Sequence, residues 1–329
     1  MTGYQEMLTD PSYGGQILVP TYPLQGNYGI NQDDAESSQV QVAGFVVREH
    51  HAQPSHSGIY MTLHEFLMEQ GVPAISGIDT RALTRRLRAQ GVMLGAIAVG
   101  ITHKEALERL LDTPPYEDTD YVSKITTRRP YDWPNPKGIT PKYRVLVSDY
   151  GVKYNIMRNL AKRGCQVSAF PAATPADELL ALEPDGIVLS PGPGDPELLD
   201  YAVETAKHLA GKIPLMGICL GNQILARAFG GKTFKLKFGH RGGNHPVKDL
   251  RTGRVHITAQ NHGYAVEPDS LPSDMEISHL NLNDDTVEGI RHKNLPIIAI
   301  QYHSEASPGP QDNEYIFDEY INLLKAEKA

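Results

Sequence analysis

The sequence predicts an α/β protein. Its C-terminal part is expected to form an open, mostly parallel sheet flanked by helices. A smaller, mixed α/β domain precedes it. Three observations carry this expectation. From residue 143 onward, short apolar runs alternate with amphipathic stretches, the rhythm of a parallel sheet covered on both faces. Before residue 126 the pattern is mixed. Between the two, 126–142 reads Thr-Thr-Arg-Arg-Pro-Tyr-Asp-Trp-Pro-Asn-Pro-Lys-Gly-Ile-Thr-Pro-Lys, with four prolines, one glycine and no hydrophobic period. That is linker composition. The expected units are therefore 1–125, a linker over 126–142, and 143–329.

In the first unit, Gln16–Tyr22 and Val40–Arg48 read as strands. Thr62–Gln70, Asp79–Gln90 and Lys104–Asp112 read as helices, each with a Thr or Asp nearby to cap its free N–H groups. After the linker, Arg144–Ser148 is a strand and Tyr154–Arg163 a helix stopped by Gly164. Gln166–Phe170 (strand), Asp177–Ala181 (helix), Gly186–Leu189 (strand) and Glu197–Leu209 (helix) follow. Pro214–Ile218 is then a strand, and Gly221–Phe229 a helix closed by Gly230 and Gly231. Beyond residue 232 the pattern turns to β segments and turns. A last strand, Ile297–Gln301, and a last helix, Asn313–Lys325, end the chain. The sequence shows no internal repeat and no low-complexity tract.

Composition narrows the function classes. At 329 residues, 40% hydrophobic and 21% charged, the chain has enough apolar content for two globular cores. A net charge of −8 argues against a nucleic-acid binder, which needs a basic face. Only two cysteines occur, Cys165 and Cys219, without a C-x-x-C pair. A disulfide framework and a structural zinc site are thus not expected, and a reducing compartment fits. No run of 18 apolar residues is present, and the N-terminus lacks a basic region followed by an apolar one. Neither a membrane span nor a secretory signal is expected, and the cytoplasm is the expected compartment.

The most informative segment is Ile213-Pro-Leu-Met-Gly-Ile-Cys219-Leu-Gly-Asn-Gln-Ile-Leu-Ala. An apolar strand runs into Cys219 and a helix starts at once. Gly217 and Gly221 flank the cysteine two residues away on either side. A sharp strand–nucleophile–helix turn needs small neighbours at those places. The thiol then sits at a helix N-terminus, whose dipole favours thiolate. The backbone N–H of Leu220 is left free to meet an oxyanion. A lone buried cysteine is usually structural; the glycines and the strand-to-helix switch favour a nucleophile.

A thiol nucleophile needs a base, and the base needs an orienting group. Among 13 histidines, His303 stands out. The strand Pro296-Ile-Ile-Ala-Ile-Gln-Tyr-His303-Ser-Glu305 ends in His-x-Glu. Residues two apart on an extended chain face the same side, so Glu305 can hold the His303 ring. Strand ends of a parallel sheet are where such sites collect. His50, His51 and His56 fall in a polar loop, His240 and His245 in a glycine-rich turn region, and His262 in Gln-Asn-His-Gly. Metal binding is conceivable for these, without a convincing ligand spacing, so no metal is expected.

Leu189-Ser-Pro-Gly192-Pro-Gly194-Asp-Pro follows a strand. It reads as an ordinary tight turn, a backbone cradle for a ligand, or a phosphate loop. The absence of the usual phosphate-loop and dinucleotide glycine patterns weakens the last. Pro-Gly-Pro-Gly-Asp-Pro, then Gly-Ile-Cys-Leu-Gly-x-Gln, then His-x-Glu together resemble the class I, triad-type glutamine amidotransferases over residues 143–325. The resemblance implies a Cys219–His303–Glu305 triad and an oxyanion hole from the N–H groups of Gly192 and Leu220. It also implies glutamine contacts at Gly194 and Gln223 besides Gly192 and Leu220.

The first unit narrows the resemblance. Met-Thr-Gly-Tyr-Gln-Glu-Met-Leu-Thr-Asp-Pro-Ser-Tyr, Gln-Gly-Asn-Tyr-Gly-Ile-Asn, Glu-Ser-Ser-Gln-Val and Gly-Ile-Asp-Thr-Arg-Ala-Leu-Thr-Arg-Arg-Leu-Arg are similar to the N-terminal domain of the carbamoyl phosphate synthetase small-subunit family. Phe238-Gly-His-Arg-Gly-Gly-Asn-His-Pro-Val and Thr258-Ala-Gln-Asn-His-Gly-Tyr-Ala-Val extend it. The resemblance implies further glutamine contacts at Ser12, Asn261, Gly263 and Tyr264. It implies a large synthetase subunit that receives ammonia through a tunnel and carries the ATP and magnesium, with no cofactor on this chain. The product would feed arginine synthesis, pyrimidine synthesis or both.

Three departures stand out. Family members carry further N-terminal strands, so the first unit is expected to lack them. Asn222 stands where this subfamily has His, and Tyr264 where it has Phe. The helix bearing Arg81, Arg85, Arg86 and Arg88 fits a solvated face and a partner surface equally. Two alternatives to this function are a glutaminase subunit of another amidotransferase and a non-catalytic gating subunit. The first 125 residues argue against the former, and the intact Cys, His and Glu against the latter.

Overall fold

The computed structural model describes residues 3–328. The N-terminal part holds α1 (Tyr4–Thr9), β1 (Ile17–Leu18), β2 (Leu24–Gln25), β3 (Gly44–Val46), β4 (Glu49–His50), α2 (Leu63–Glu69), β5 (Ala74–Ile75), α3 (Thr80–Gln90), α4 (His103–Leu111) and α5 (Val122–Ile125). Helices α2 and α4 start at reciprocal caps, Thr62 with Glu65 and Thr102 with Glu105. Asp79 caps α3. Each side-chain cap satisfies an N–H that the first helical turn cannot.

The two strands expected here are much shorter than their apolar runs. Pro20 and Pro23 remove ladder donors, so only Ile17–Leu18 pairs. Of Val40–Arg48, the segment Gly44–Val46 pairs, between β1 and β5 in a parallel three-stranded sheet. Helix α1 has no counterpart in the expected pattern. It follows Gly3 at φ 69° and buries Tyr4, Gln5, Leu8 and Thr9. The Tyr4 ring stacks on Tyr28 at 4.1 Å, and its hydroxyl donates to Gly29 O at 2.6 Å.

The second part holds β6 (Tyr131–Asp132), β7 (Tyr143–Asp149), α6 (Tyr154–Lys162), β8 (Cys165–Pro171), α7 (Ala176–Leu180), β9 (Gly186–Leu189), α8 (Asp200–Leu209), β10 (Leu215–Ile218) and α9 (Leu220–Ala228). It continues with β11 (Thr233–Asp249), β12 (Val255–Val266), β13 (Met275–Asn281), β14 (Val287–His292), β15 (Ile297–Ile300) and α10 (Tyr315–Lys328). One sheet runs in the order β12-β11-β13-β14-β15-β10-β9-β7-β8-β6. Its centre, β15-β10-β9-β7-β8, is parallel. Antiparallel strands extend both ends.

Three local differences have physical reasons. Strand β6 lies within the proline-rich 126–142 stretch and pairs with the edge of β8. An edge strand tolerates flanking prolines. Helix α8 starts at Asp200 rather than Glu197, because Pro196–Leu198 forms a 3₁₀ turn capped by Asp195. The glycines near His240 and His245 mark irregularities within the long strand β11, not a turn region.

Alternate residues of the central strands enter opposite cores. Leu146, Ile187, Leu189 and Leu215 pack under α8 and α9, while Val145, Val147, Val188 and Met216 pack against α6 and α10. All eight are fully buried, and each such side chain contributes about 1.5–3 kcal/mol. This two-sided burial fixes the neighbours β10 and β15 in register, Leu215 opposite Ile297 through Ile218 opposite Ile300. Cys219 and His303 leave the carboxyl ends of these two strands.

Candidate active site

Cys219 sits between β10 and α9 with φ 53° and ψ −103°. A non-glycine residue held there stores about 1–3 kcal/mol of strain, which the surrounding structure must impose. Cys219 N donates to Ile300 O at 2.8 Å, tying the turn to β15. The flanking glycines are needed for close approach. A Cβ on Gly221 would lie 2.1 Å from Leu189 O, and one on Gly217 would lie 2.7 Å from the Gly221 backbone. Strand, turn and helix could not come together with larger residues.

His303 is buried, and its N–H donates to Ala259 O at 2.9 Å. Its Nδ1 meets Glu305 Oε1 at 2.6 Å. Its Nε2 is buried without a hydrogen-bond partner among the described residues. Burial by itself opposes the charged ring, but the Glu305 carboxylate and then Cys219 outweigh it, and His303 is held up at about 10. Burial likewise opposes charge on Glu305. The Lys153 ammonium, 3.1 Å away, and then His303 overcome it and hold the carboxyl down at about 2.

Lys153 was not visible as a site residue in the sequence. It is almost fully buried, also donates to Ala306 O, and is kept charged against burial by Glu305, Asp10 and Glu36. Asn155 donates to Glu305 O and fixes the same turn. Asp10 and Glu36 come from the N-terminal part. The signal available was weak: Gly-Val-Lys-Tyr-Asn at the start of α6 reads as an ordinary helix entry.

Gly192 packs against Leu220. A Cβ on Gly192 would lie 2.2 Å from Tyr150 O and 2.8 Å from Leu220 Cδ2. The two residues expected to supply oxyanion donors are therefore neighbours. Leu220 opens α9, where its N–H has no intrahelical acceptor. Gly194 has φ 93°, a conformation that favours glycine.

Asn261 lies beside Cys219, its O 4.0 Å from Cys219 Sγ. Gln223 Nε2 donates to Tyr264 O at 2.9 Å and Gln301 Oε1 at 3.1 Å. Ser12 is buried, its N held by Asp10 Oδ1 at 2.8 Å. Gly263 lies at the Arg241 guanidinium, whose Nη1 donates to His240 O at 2.9 Å and also to His262 O. Arg241 is solvent-accessible, and Cys219 and Asp10 are near enough to act on it electrostatically.

The remaining histidines of interest form a separate buried group. His240, His262 and Glu288 bring ligand atoms within 4.8 Å of one another. The sequence spacing did not reveal this group.

The comparisons match both halves. The family described as glutamine amidotransferase class-I matches residues 146–323. The carbamoyl-phosphate synthase small chain, CPSase domain, matches residues 1–97. A carbamoyl phosphate synthase small chain of Akkermansia muciniphila is 48% identical over 100% of this chain and 90% of its own length. The chain belongs to the carbamoyl phosphate synthase small chain family. Small chains of Methanopyrus kandleri (49% identical, 98% of this chain, 90% of the relative) and Listeria monocytogenes (50%, 100% and 89%) agree. The crystal structure of a GMP synthase component of Thermoplasma acidophilum superposes with TM-score 0.50 at 25% identity, over 56% of this chain and 96% of that one. The family is a glutamine-hydrolysing one, and this chain is its amidotransferase component. No helix among the described residues is long and apolar enough to cross a membrane.

Proposed function

We propose that this chain hydrolyses L-glutamine to glutamate and ammonia through a Cys219 thioester, and delivers the ammonia to a large synthetase subunit. The observation that carries this reading is His303. One ring nitrogen is held by Glu305 at 2.6 Å, and the other is buried, with no hydrogen-bond partner among the described residues, in the site that also holds Cys219. Cys219 S⁻ attacks the γ-carboxamide carbon, and the N–H groups of Gly192 and Leu220 receive the oxyanion. His303, charged in the resting site, gives its proton to the departing nitrogen as the C–N bond breaks. Neutral His303 then takes a proton from water, whose oxygen forms the new C–O bond. The C–S bond breaks, releasing glutamate and restoring the thiolate. Glu305 holds the ring and balances its charge, and Lys153 holds Glu305.

Glutamine is held by Ser12, Gly192, Gly194, Leu220, Gln223, Asn261, Gly263 and Tyr264 in this reading. The chain divides into a small-subunit domain over 1–125, a linker over 126–142 and a class I amidotransferase domain over 143–329. ATP and magnesium belong to the large subunit, the product serves arginine synthesis, pyrimidine synthesis or both, and the complex works in the cytoplasm. Ammonia release from glutamine, measured for the chain alone and with a synthetase subunit, tests the reading. No turnover in either state would make it a non-catalytic gating subunit.

A further inference from the structure

Asp10 lies at the entry to the short turn Pro11–Tyr13 and is buried. Its two oxygens serve two distant parts of the chain. Oδ1 accepts from Ser12 N at 2.8 Å, and Oδ2 accepts from Asn261 Nδ2 at 3.3 Å, across 251 positions of sequence. A carboxylate can only accept hydrogen bonds. It therefore fixes which way the Asn261 amide points: Nδ2 toward Asp10 and Oδ1 away. Asn261 Oδ1 is buried and has no partner among the described residues, and the same holds for Ser12 Oγ. Asn261 is the residue whose main-chain O lies 4.0 Å from Cys219 Sγ.

The site thus presents an obligate acceptor, Asn261 Oδ1, with no donor of its own to satisfy it. Buried polar atoms left this way are costly unless a ligand completes them. Glutamine carries one cationic donor, its α-ammonium group. We propose that Asp10 is a specificity-determining positioning residue, which holds the Asn261 amide so that its carbonyl oxygen receives the α-ammonium group of the substrate. The proposal rests on the glutaminase reading above and deepens it. Asp10 touches neither the reacting carbon nor the nucleophile; it acts through Asn261, and its own negative charge lies one side chain behind the acceptor.

Asp10→Asn tests this in the full chain with its synthetase subunit. The new amide keeps its oxygen on Ser12 N and turns its NH₂ toward Asn261 Nδ2. Two donors then face each other, and the Asn261 amide turns over, presenting NH₂ to the substrate ammonium. The KM for glutamine is expected to rise about 30- to 100-fold with kcat little changed, the effect of losing a hydrogen bond to a charged group. Glutaramate has the same γ-amide and carboxylate but hydrogen in place of the ammonium. Its Ki as a competitive inhibitor is expected to change less than about threefold, because it makes no use of the acceptor. An unchanged KM for glutamine would overturn the proposal. So would an equal loss toward both compounds, unfolding included, which would give Asp10 a structural role alone. If the unmutated complex hydrolyses no glutamine, or hydrolyses it equally with Cys219→Ser, the glutaminase reading itself falls, whatever Asp10→Asn does.

Discussion

Two buried histidine–glutamate assemblies lie on the same sheet, and their rings are bound differently. In the first, His303 Nδ1 meets Glu305 at 2.6 Å and Nε2 has no hydrogen-bond partner among the described residues. In the second, both ring nitrogens of His262 face an oxygen, Nδ1 Tyr264 O at 2.7 Å and Nε2 Gln260 Oε1 at 2.9 Å, and a neutral ring can donate to only one of them; Glu288 lies at 4.0 Å. His240 closes that group, reaching Asp284 at 2.8 Å and Glu288 at 3.4 Å. Their charges also diverge. His303 is held up at about 10 because Glu305 and Cys219 overcome its burial. His262 is driven well below the usual histidine range by burial and then by His240. A histidine beside a carboxylate is therefore not yet a catalytic base. The difference is one ring nitrogen beside Cys219 that has no hydrogen-bond partner among the described residues.

The largest effect should come from the nucleophile. Cys219→Ser is expected to lower glutamine hydrolysis by at least about 10⁴-fold, since the alcohol is a far weaker nucleophile than the thiolate. The fold should persist, because Ser is nearly isosteric. In the reconstituted complex, synthesis from free ammonia should continue. Glutaminase turnover near the unmutated rate would remove Cys219 from the mechanism.

The next prediction breaks the comparison in half. Glu305→Gln should lower kcat about 10³-fold with KM for glutamine little changed, because the carboxylate acts when imidazolium is present. Glu288→Gln, the matching change in the second group, should leave kcat within about threefold. Steady-state kinetics on both variants checks this. A large KM rise with unchanged kcat in Glu305→Gln would make Glu305 a substrate-binding residue.

What was legible in the sequence follows the same division. Strands β7, β9 and β10 fall within a residue or two of the runs read for them, because both of their faces are buried and the runs are unbroken. The lengths of β11 and β12 were not legible. Their mixture of His, Lys, Gly and Asn goes with partial exposure and, in β11, with two breaks in register. Cys219 could be found because its glycines lie two residues away, and Glu305 because it lies two residues from His303. Lys153 and Asp10 could not. A lone lysine at a helix start reads as a surface cation, and its partners sit at positions 10, 36 and 305. Asp-Pro-Ser does signal a turn, but nothing local announces a contact with Asn261.

A third prediction concerns that hidden lysine. The Glu305 carboxyl is held at about 2, below its ordinary 4.5, so the folded state binds fewer protons than the unfolded chain between those values. The stabilisation is thus fully present above about pH 4.5 and lost as pH falls toward 2. Lys153→Met removes the first of the groups that hold Glu305 down. It should destabilise the fold by about 3 kcal/mol at neutral pH, as breaking one side of a buried pair does, and flatten the acid dependence. Denaturant unfolding across pH measures both. An unchanged acid limb would show that His303 alone holds Glu305.

The smallest effect is expected at Asn222. It is fully buried and adjoins the elbow in sequence, which makes it look catalytic. Its side chain goes elsewhere. Nδ2 donates to Gln301 Oε1 at 3.2 Å, the oxygen that also accepts from Gln223 Nε2 at 3.1 Å. Asn222 thus supports Gln223 from behind and has no hydrogen bond to Cys219, His303 or Glu305 among the described residues. A histidine there can donate to Gln301 through a ring N–H and keep that support. The larger ring must fit a packed space, and the unpartnered Asn222 Oδ1 would be removed in exchange. These effects oppose each other, so Asn222→His should change kcat for glutamine hydrolysis by less than about tenfold, or about 1.4 kcal/mol of transition-state energy. A hundredfold gain would show that a third histidine position belongs with His303 on the reactive side of the comparison.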